Sequence, residues 1–265
     1  MLAPGAGARV TAPEELRELI ESYLDELALT PELGGLEASV RYSLAGGGKR
    51  VRPVLCLATA EAAGAEPETA LPAAAAVELV HNFSLVHDDL PALDDDKLRR
   101  GRASTWVEFG EAIGVLAGDA LLAEALRLAL TYPTPAVARE LVQATLGMIG
   151  GQYLDIAGGA PDLASLHRLK TGCLFSASVA CALWAAEVPE REQGPWRAFA
   201  DEVGLLFQIV DDILDEDGFA LERGAEGARA LADGTAERAQ ALLLEIPAET
   251  SVLSGIVAGL AARTS

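Results

Sequence analysis

Apolar positions recur along this chain at intervals of three and four, the spacing that lines side chains along one face of a helix. Leu16, Leu19, Ile20, Tyr23, Leu24 and Leu27 make the first such face. Thr11, Pro13 and Glu14 ahead of it read as a capping box that starts the helix. Thr30-Pro31-Glu32 predicts a short helix, and Gly46-Gly47-Gly48 then breaks the pattern before Pro53 opens the next one. Further helices are predicted over residues 68–89, 110–130, 136–149, 171–186 and 196–215, with proline- and glycine-rich turns between them. The uncharged stretch 171–186 is shorter than the ~20 residues a membrane-spanning helix needs and reads as a buried core helix. No period-two run marks a strand or hairpin, and neither a repeat nor a long linker is visible. The chain therefore reads as one all-α domain over residues 1–265, a bundle of roughly ten helices.

Two acidic clusters interrupt the apolar pattern. The first runs Asp88-Asp89-Leu90-Pro91-Ala92-Leu93-Asp94-Asp95-Asp96, and the second holds Asp211, Asp212 and Asp215. Two carboxylates ~4 Å apart repel by roughly 4 kcal/mol at an effective dielectric of ~20. Concentrating them twice beside apolar residues points to divalent cations held between them, and oxygen ligands are what Mg²⁺ prefers. His81, Leu85 and Asp88 share a helix face, with Ser84 beside them, which lifts His81 above an ordinary core histidine. His87 points away from that face and reads as structural. Pro91 ends the helix, so Asp94 reaches the same place by a turn. In the second cluster Gln208, Asp211, Asp212 and Asp215 form a helical stripe flanked by Phe207, Ile209, Val210 and Ile213, as on the wall of a half-buried cavity. Gln152 and Asp155, three apart, either face that cavity or bond between helices.

Basic residues near these clusters supply the counterpart. Only three lysines occur, Lys49, Lys97 and Lys170, against seventeen arginines. Lys49, Arg50 and Arg52 follow the glycine triplet, whose backbone N–H groups can approach an anion closely. Together they read as a diphosphate cradle. The net charge of −20 argues against nucleic acid and anionic membrane surfaces as partners. Cys56, Cys173 and Cys181 form no Cys-x-x-Cys pair, which fits a reducing, cytoplasmic setting rather than a disulfide framework. Residues 1–10 lack the basic and apolar regions of a signal peptide.

Taken in order, these stretches resemble the short-chain trans-prenyl diphosphate synthases of the farnesyl and geranylgeranyl diphosphate type. The resemblance is carried by Gly47-Gly48-Lys49-Arg50-Val51-Arg52-Pro53, His81 onward through Gly101, Gly118-Asp119, Gly151-Gln152 with Asp155, His167-Arg168-Leu169-Lys170-Thr171-Gly172, and Phe207 onward through Asp215. It implies an isoprenoid-synthase-like bundle around a deep central cavity, usually a homodimer. It also implies Mg²⁺ as cofactor, held by Asp88, Asp94 and Asp211, with Asp215, Asp89 and Asp212 in support. An allylic diphosphate would be gripped by Arg99, Lys170, Thr171 and Gln208. Isopentenyl diphosphate would lie against Gly48, Lys49, Arg52, His81 and Arg100. The implied reaction is head-to-tail condensation of these two substrates, with Asp88, Asp94, Lys170 and Asp211 central to the chemistry. Phe83, five residues before Asp88, implies a C15 or C10 product, with C20 next.

The chain also departs from that family. Residues 216–234 contain no lysine, and Arg223 and Arg229 are their only cations, where the family usually carries a glycine–lysine loop over the diphosphate. Arg102-Ala103-Ser104-Thr105-Trp106 lacks the usual proline and histidine. Two other readings therefore stay open: a non-catalytic partner subunit of a prenyl synthase, and a class I terpene cyclase, which would leave Lys49, Arg52, His81 and Arg100 without a purpose.

Overall fold

A computed structural model describes residues 10–264; the expectation about a signal peptide in residues 1–10 falls outside these except for Val10. The chain folds as α1 (Pro13–Glu26), α2 (Glu37–Leu44), α3 (Val51–Ala62), α4 (Leu71–Asp88), α5 (Thr105–Phe109), α6 (Glu111–Ala129), α7 (Ala136–Ala157), α8 (Leu163–His167), α9 (Cys173–Ala185), α10 (Gly194–Asp215), α11 (Gly218–Leu244) and α12 (Ser251–Ala261). Short 3₁₀ turns lead into α2 and α4 and follow α12. One apolar core takes side chains from both ends of the chain, from Leu16 and Ile20 of α1 to Leu253 and Val257 of α12. Its largest fully buried members include Phe175, Phe199, Leu79 and Leu121.

α4 lies inside this core. Ala73, Ala74, Ala75, Ala76, Val77, Leu79 and Val80 are all buried, so small residues on every side let α3, α6 and α9 approach it. Together with the turn before it, α4 is the one described segment long and apolar enough to span a membrane, but 72% of that apolar window is buried within the bundle. Gly118 of α6 packs under the His87 ring of α4, where a Cβ would come within 2.1 Å of Nε2. α9, predicted as an uncharged core helix, packs against α3, α4, α7 and α10.

Four sequence expectations need correction. Thr11 does not form a capping box with Glu14: its N–H and hydroxyl donate to the Glu61 carboxylate on α3, and Ala12 stands at the N-cap without a side-chain bond. α7 does not end at residue 149 but runs through Gly150 and Gly151 to Ala157. Gly151 is there for contact, since a Cβ would lie 2.6 Å from the Lys170 backbone nitrogen. A small antiparallel hairpin does exist, pairing Leu98 with Ala103 and Arg99 with Arg102 across Arg100 (φ 54°) and Gly101 (φ 76°). With two residues per strand it is too short to show period-two alternation, and its signal is the turn. Among the described residues there are twelve α-helices rather than ten, because segments such as α5 and α8 span only five residues each.

Candidate active site

The face of α4 predicted from spacing lines a cavity of about 440 Å³. His81, Ser84, Leu85 and Asp88 come from α4, and Phe83 and His87 also reach it. Arg52 enters from the first turn of α3, and Gln152 from α7. Lys170 and Thr171 come from the π-helical turn Arg168–Gly172 that joins α8 to α9. Such turns present side chains that a regular helix would direct elsewhere. The remaining wall is apolar, with Met148, Ile149, Tyr153 and Ile156 from α7, Leu174 from α9, and Leu93.

Its charges are poorly compensated. The Arg52 Nε is buried with no hydrogen-bond partner, and the guanidinium lies over the rings of Phe175 (4.5 Å) and Phe207 (5.4 Å). Burial pushes this arginine down to about 10, against the favourable charges of Glu78 and Asp211. Gln152 Oε1 is also buried and unpartnered. Asp88 rises to about 6: burial is the main cause, Lys170 opposes it, and Asp94 adds to it. Asp211 rises to about 6 for the same first reason, with Asp215 adding and Arg52 opposing. His81 is held neutral, well below the ordinary histidine range, by burial and then by Arg52 and Arg100. Half-buried acids whose burial outweighs the cations near them, beside an arginine whose Nε has no hydrogen-bond partner, fit a metal–diphosphate complex, which would supply the missing charge and acceptor.

The turn after Pro91 brings Asp94 back to Asp88, and its N–H donates to the Asp88 carbonyl at 2.9 Å. Thr171 and Gln208 also meet: the threonine hydroxyl donates to Gln208 Oε1 at 2.7 Å. Gln208 Nε2 in turn donates to Asp212 Oδ1 at 2.7 Å. Asp211, Asp215 and Gln208 do not line the cavity directly. α9 packs against both α4 and α10, and Asp211 couples to the cavity through the charge of Arg52. Lys170 is ion-paired with Asp155 of α7, so Asp155 bonds between elements while Gln152 faces inward.

Other predicted residues are placed differently. Arg50 is no anion ligand. It is 4% exposed, and its guanidinium donates to Glu78 (2.6 Å), Glu21 (3.1 Å) and the Leu44 carbonyl (2.7 Å). Arg99 is clamped by Asp89 and Asp96, and Arg100 is drawn onto the Gly47 carbonyl. Both line a neighbouring recess with Tyr42 and Asn82 instead of the cavity. Gly48 (φ 147°) lets Arg100 settle there, since a Cβ would sit 2.8 Å from its Nη1. Lys49 is exposed and lines a separate recess with α1 and α12. Asp212 is structural, accepting from the Phe219 N–H (2.9 Å) and lying 3.2 Å from His167 Nε2. Burial alone would raise it, but these bonds and that of Gln208 hold it below the usual carboxylate range. His87 is a wall residue: its Nε2 lies 3.0 Å from the Val115 carbonyl and its ring meets Phe83 edge-on. Glu78 and Asn82 escaped notice in the sequence, although two polar residues four apart in so apolar a helix were a signal of a buried partner.

Among the described residues no three histidine, cysteine or acidic side chains converge into a closed metal cage. Mg²⁺ does not require one, since it is usually held by one or two carboxylates with water and substrate phosphate. Asp88 with Asp94, and Asp211 with Asp215, are the acidic pairs that would offer Mg²⁺ such a site. The sequence model of the family described as polyprenyl synthetase matches residues 35–237. The chain belongs to the polyprenyl synthetase family.

Two curated relatives illustrate its place in that family. The geranylgeranyl diphosphate synthase of Cyanophora paradoxa is 39% identical over 216 residues, covering 76% of this chain and 72% of the relative. The heterodimeric geranylgeranyl pyrophosphate synthase large subunit 1 of Arabidopsis thaliana is 42% identical over 217 residues, covering 75% of this chain but only 58% of the relative. Among solved structures, a geranyltransferase from Legionella pneumophila superposes with a TM-score of 0.84 at 31% identity, covering 95% of this chain and 96% of that one. The all-α fold of this polyprenyl synthetase is therefore shared over nearly its whole length.

Proposed function

We propose that this chain is a Mg²⁺-dependent prenyltransferase that joins isopentenyl diphosphate head-to-tail to an allylic diphosphate, giving a short-chain trans-prenyl diphosphate. The observation that carries this reading is the meeting of acids and a cation at one cavity: Asp88 in its wall, Asp211 reaching it through the charge of Arg52, both raised to about 6 by burial, and Arg52 with a buried, unpartnered Nε. Mg²⁺, bound at Asp88 with Asp94 and at Asp211 with Asp215, would neutralise the leaving diphosphate. Lys170 and Thr171 would orient the allylic diphosphate, and Arg52 and His81 would receive the second one. As the allylic C–O bond breaks, the electron pair leaves with the diphosphate. The isopentenyl double bond then attacks the allylic carbon, and a proton is lost to the departing diphosphate. Phe83, Met148, Ile149 and Leu174 keep water from the cationic carbon. The Phe83–His87 wall supports a C15 product, and the first relative's name, a geranylgeranyl synthase, supports C20.

The exposed apolar residues Val115, Leu116, Val142 and Leu146 on α6 and α7, none of them in the cavity wall, favour a homodimer as the working form. Its three free thiols suit a cytoplasmic enzyme. The lysine-free stretch 216–234, together with the relative named as a heterodimer subunit, favours one second reading, a modulating subunit of another synthase. Product analysis decides between them. The purified protein is given isopentenyl diphosphate, Mg²⁺ and a dimethylallyl, geranyl or farnesyl starter. A ladder of prenyl diphosphates ending at one length is expected, with kcat reduced at least a hundredfold in Asp88→Ala and in Asp211→Ala. A folded protein that makes no product from any starter refutes the enzymatic reading.

A further inference from the structure

Gln152 carries a buried polar atom with no partner among the described residues. Its Oε1 is shut off from solvent and accepts no hydrogen bond. An acceptor left in that state costs stability unless something answers it. Its neighbours on α7 offer nothing. Met148 and Ile149 precede it by one turn, Ile156 follows by one turn, and all three line the same cavity. Of the hydroxyls in the cavity wall, Ser84 already donates to the His81 carbonyl and Thr171 to Gln208. Ionised phosphate oxygens cannot answer it either, because they accept and do not donate.

The backbone fixes where this oxygen sits. Gly151 brings α7 against the π-helical turn, where a Cβ would lie 2.6 Å from the Lys170 nitrogen. Gly147, one turn earlier, meets Cys173 in the same way, with Sγ 2.5 Å from its Cβ position. The two segments therefore run antiparallel, and lower numbers on α7 lie deeper along the cavity. Asp155 ion-pairs with Lys170 at the end where the diphosphate would be held. Gln152 stands three residues before Asp155, about 4.5 Å of helix rise further in. A diphosphate on Lys170 and Thr171 thus puts the first carbons of its allylic chain beside Gln152.

We propose that the Gln152 carboxamide oxygen is the electrostatic partner of the allylic cation. This role rests on the prenyltransferase reading, in which that cation arises. As the C1–O bond breaks, its electron pair leaves with the diphosphate, and positive charge spreads over carbons 1 and 3. A carbonyl dipole beside those carbons stabilises the charge far more than it stabilises the neutral chain, and only such a difference lowers a barrier. The apolar side chains around it leave no water to compete for the oxygen. Lys170 does not oppose the cation, because Asp155 already neutralises it.

The test compares two probes by calorimetry on the full chain with Mg²⁺. One is a geranyl diphosphate analogue with a protonated amine in place of carbon 3, which mimics the cation. The other is geranyl thiolodiphosphate, whose tail is neutral like that of the unreacted substrate. Gln152→Leu should bind the amine probe at least tenfold more weakly than wild type, and the thiolodiphosphate within twofold. Its kcat should fall at least thirtyfold, with KM for geranyl diphosphate within threefold. Gln152→Glu keeps a carbonyl oxygen and should retain the wild-type preference for the amine probe within threefold. Urea unfolding gives an independent readout: Gln152→Leu should be at least as stable as wild type, because it removes an unanswered acceptor. Lower stability with an unchanged probe preference would make Gln152 structural and overturn the role. An unchanged preference with a raised Mg²⁺ requirement would assign Oε1 to a metal-bound water and overturn it as well. A wild type that makes no product fails the enzymatic reading, whereas turnover with an unchanged preference in Gln152→Leu fails this role alone.

Discussion

Arg50 and Arg52 are two residues apart, and the structure gives them opposite tasks, a contrast that Glu78→Gln puts to measurement. Glu78 is 2% exposed and accepts from Arg50 Nη1 at 2.6 Å and from Asn82 Nδ2 at 3.1 Å. Burial disfavours the Arg50 charge, but Glu78 and Glu21 more than offset it, so this arginine is raised above its usual value. Breaking a buried pair by neutralising one partner costs about 3–5 kcal/mol. Here Glu21 and the Leu44 carbonyl remain on the guanidinium, which places Glu78→Gln at about 3 kcal/mol. For a chain of this size that corresponds to a fall in Tm of about 6–12 °C. Urea unfolding is the direct assay: the midpoint should fall with no change in slope. Arg50→Met/Glu78→Leu should recover most of the loss, because replacing a whole buried pair with apolar residues is often nearly neutral. At 25 °C, kcat and the KM for isopentenyl diphosphate should stay within threefold in the double variant. The reasoning is refuted if Glu78→Gln unfolds within 0.5 kcal/mol of wild type, a margin typical of ordinary surface changes. It is equally refuted if Arg50→Met/Glu78→Leu keeps its stability but raises that KM tenfold, since Arg50 would then be gripping substrate.

Three further outcomes can be checked. Gly118→Ala drives a methyl group into His87, whose Nε2 would lie at 2.1 Å; a cost of about 1–3 kcal/mol is expected, with an altered chain-length distribution because the Phe83–His87 wall must move. His81 is kept neutral below its ordinary 6.5, so the stability tied to its neutral form is complete above pH 6.5 and lost as pH falls below it toward the lowered native value. The unfolding free energy should decline over that window in the wild type and decline less in His81→Gln, as followed by urea midpoints from pH 7.5 to 5. Gly218→Ala places a side chain at φ 46° and within 2.1 Å of Asp212 Oδ2, and a loss of at least about 2 kcal/mol is expected in the same unfolding assay.

Helical faces were the most legible feature of the sequence, because a helix in a half-buried wall repeats its pattern every turn. His81, Leu85 and Asp88 share a face and line one cavity as their spacing requires. Position in a loop was much less legible. Helical phase on α3 begins at Val51, and Arg50 before it sits at φ 46°, so no periodicity separates the cation that enters the core from the one that enters the cavity. Lys49 reads as part of the same cradle, yet its recess is completed by α1 and α12, elements far away in the chain. Gly150 and Gly151 read as a stop because glycine usually interrupts helices; close approach of Lys170 is a tertiary reason that a local pattern does not carry. Arg99 followed the same logic: its positive charge was evident, but Asp89 and Asp96 already surround it.

The lysine-free stretch after Asp215 also takes on a physical meaning. α10 and α11 are separated by only Glu216 and Asp217, and Glu216 turns the chain at φ 55°. Asp212 closes this turn by accepting the Phe219 N–H, one of the N–H groups left without an intrahelical partner at the start of α11. Gly218 is required because the Asp212 carboxylate occupies the space of any Cβ there. The chain then leaves helical geometry again at Gly224 (φ 72°, ψ 163°), a few residues into α11. The second acidic cluster thus divides its work. Asp212 fixes the corner between α10 and α11, while Asp211 and Asp215 keep the charge that a metal ion would answer. The cations that line the cavity come from α3 and the π-helical turn, as Arg52 and Lys170.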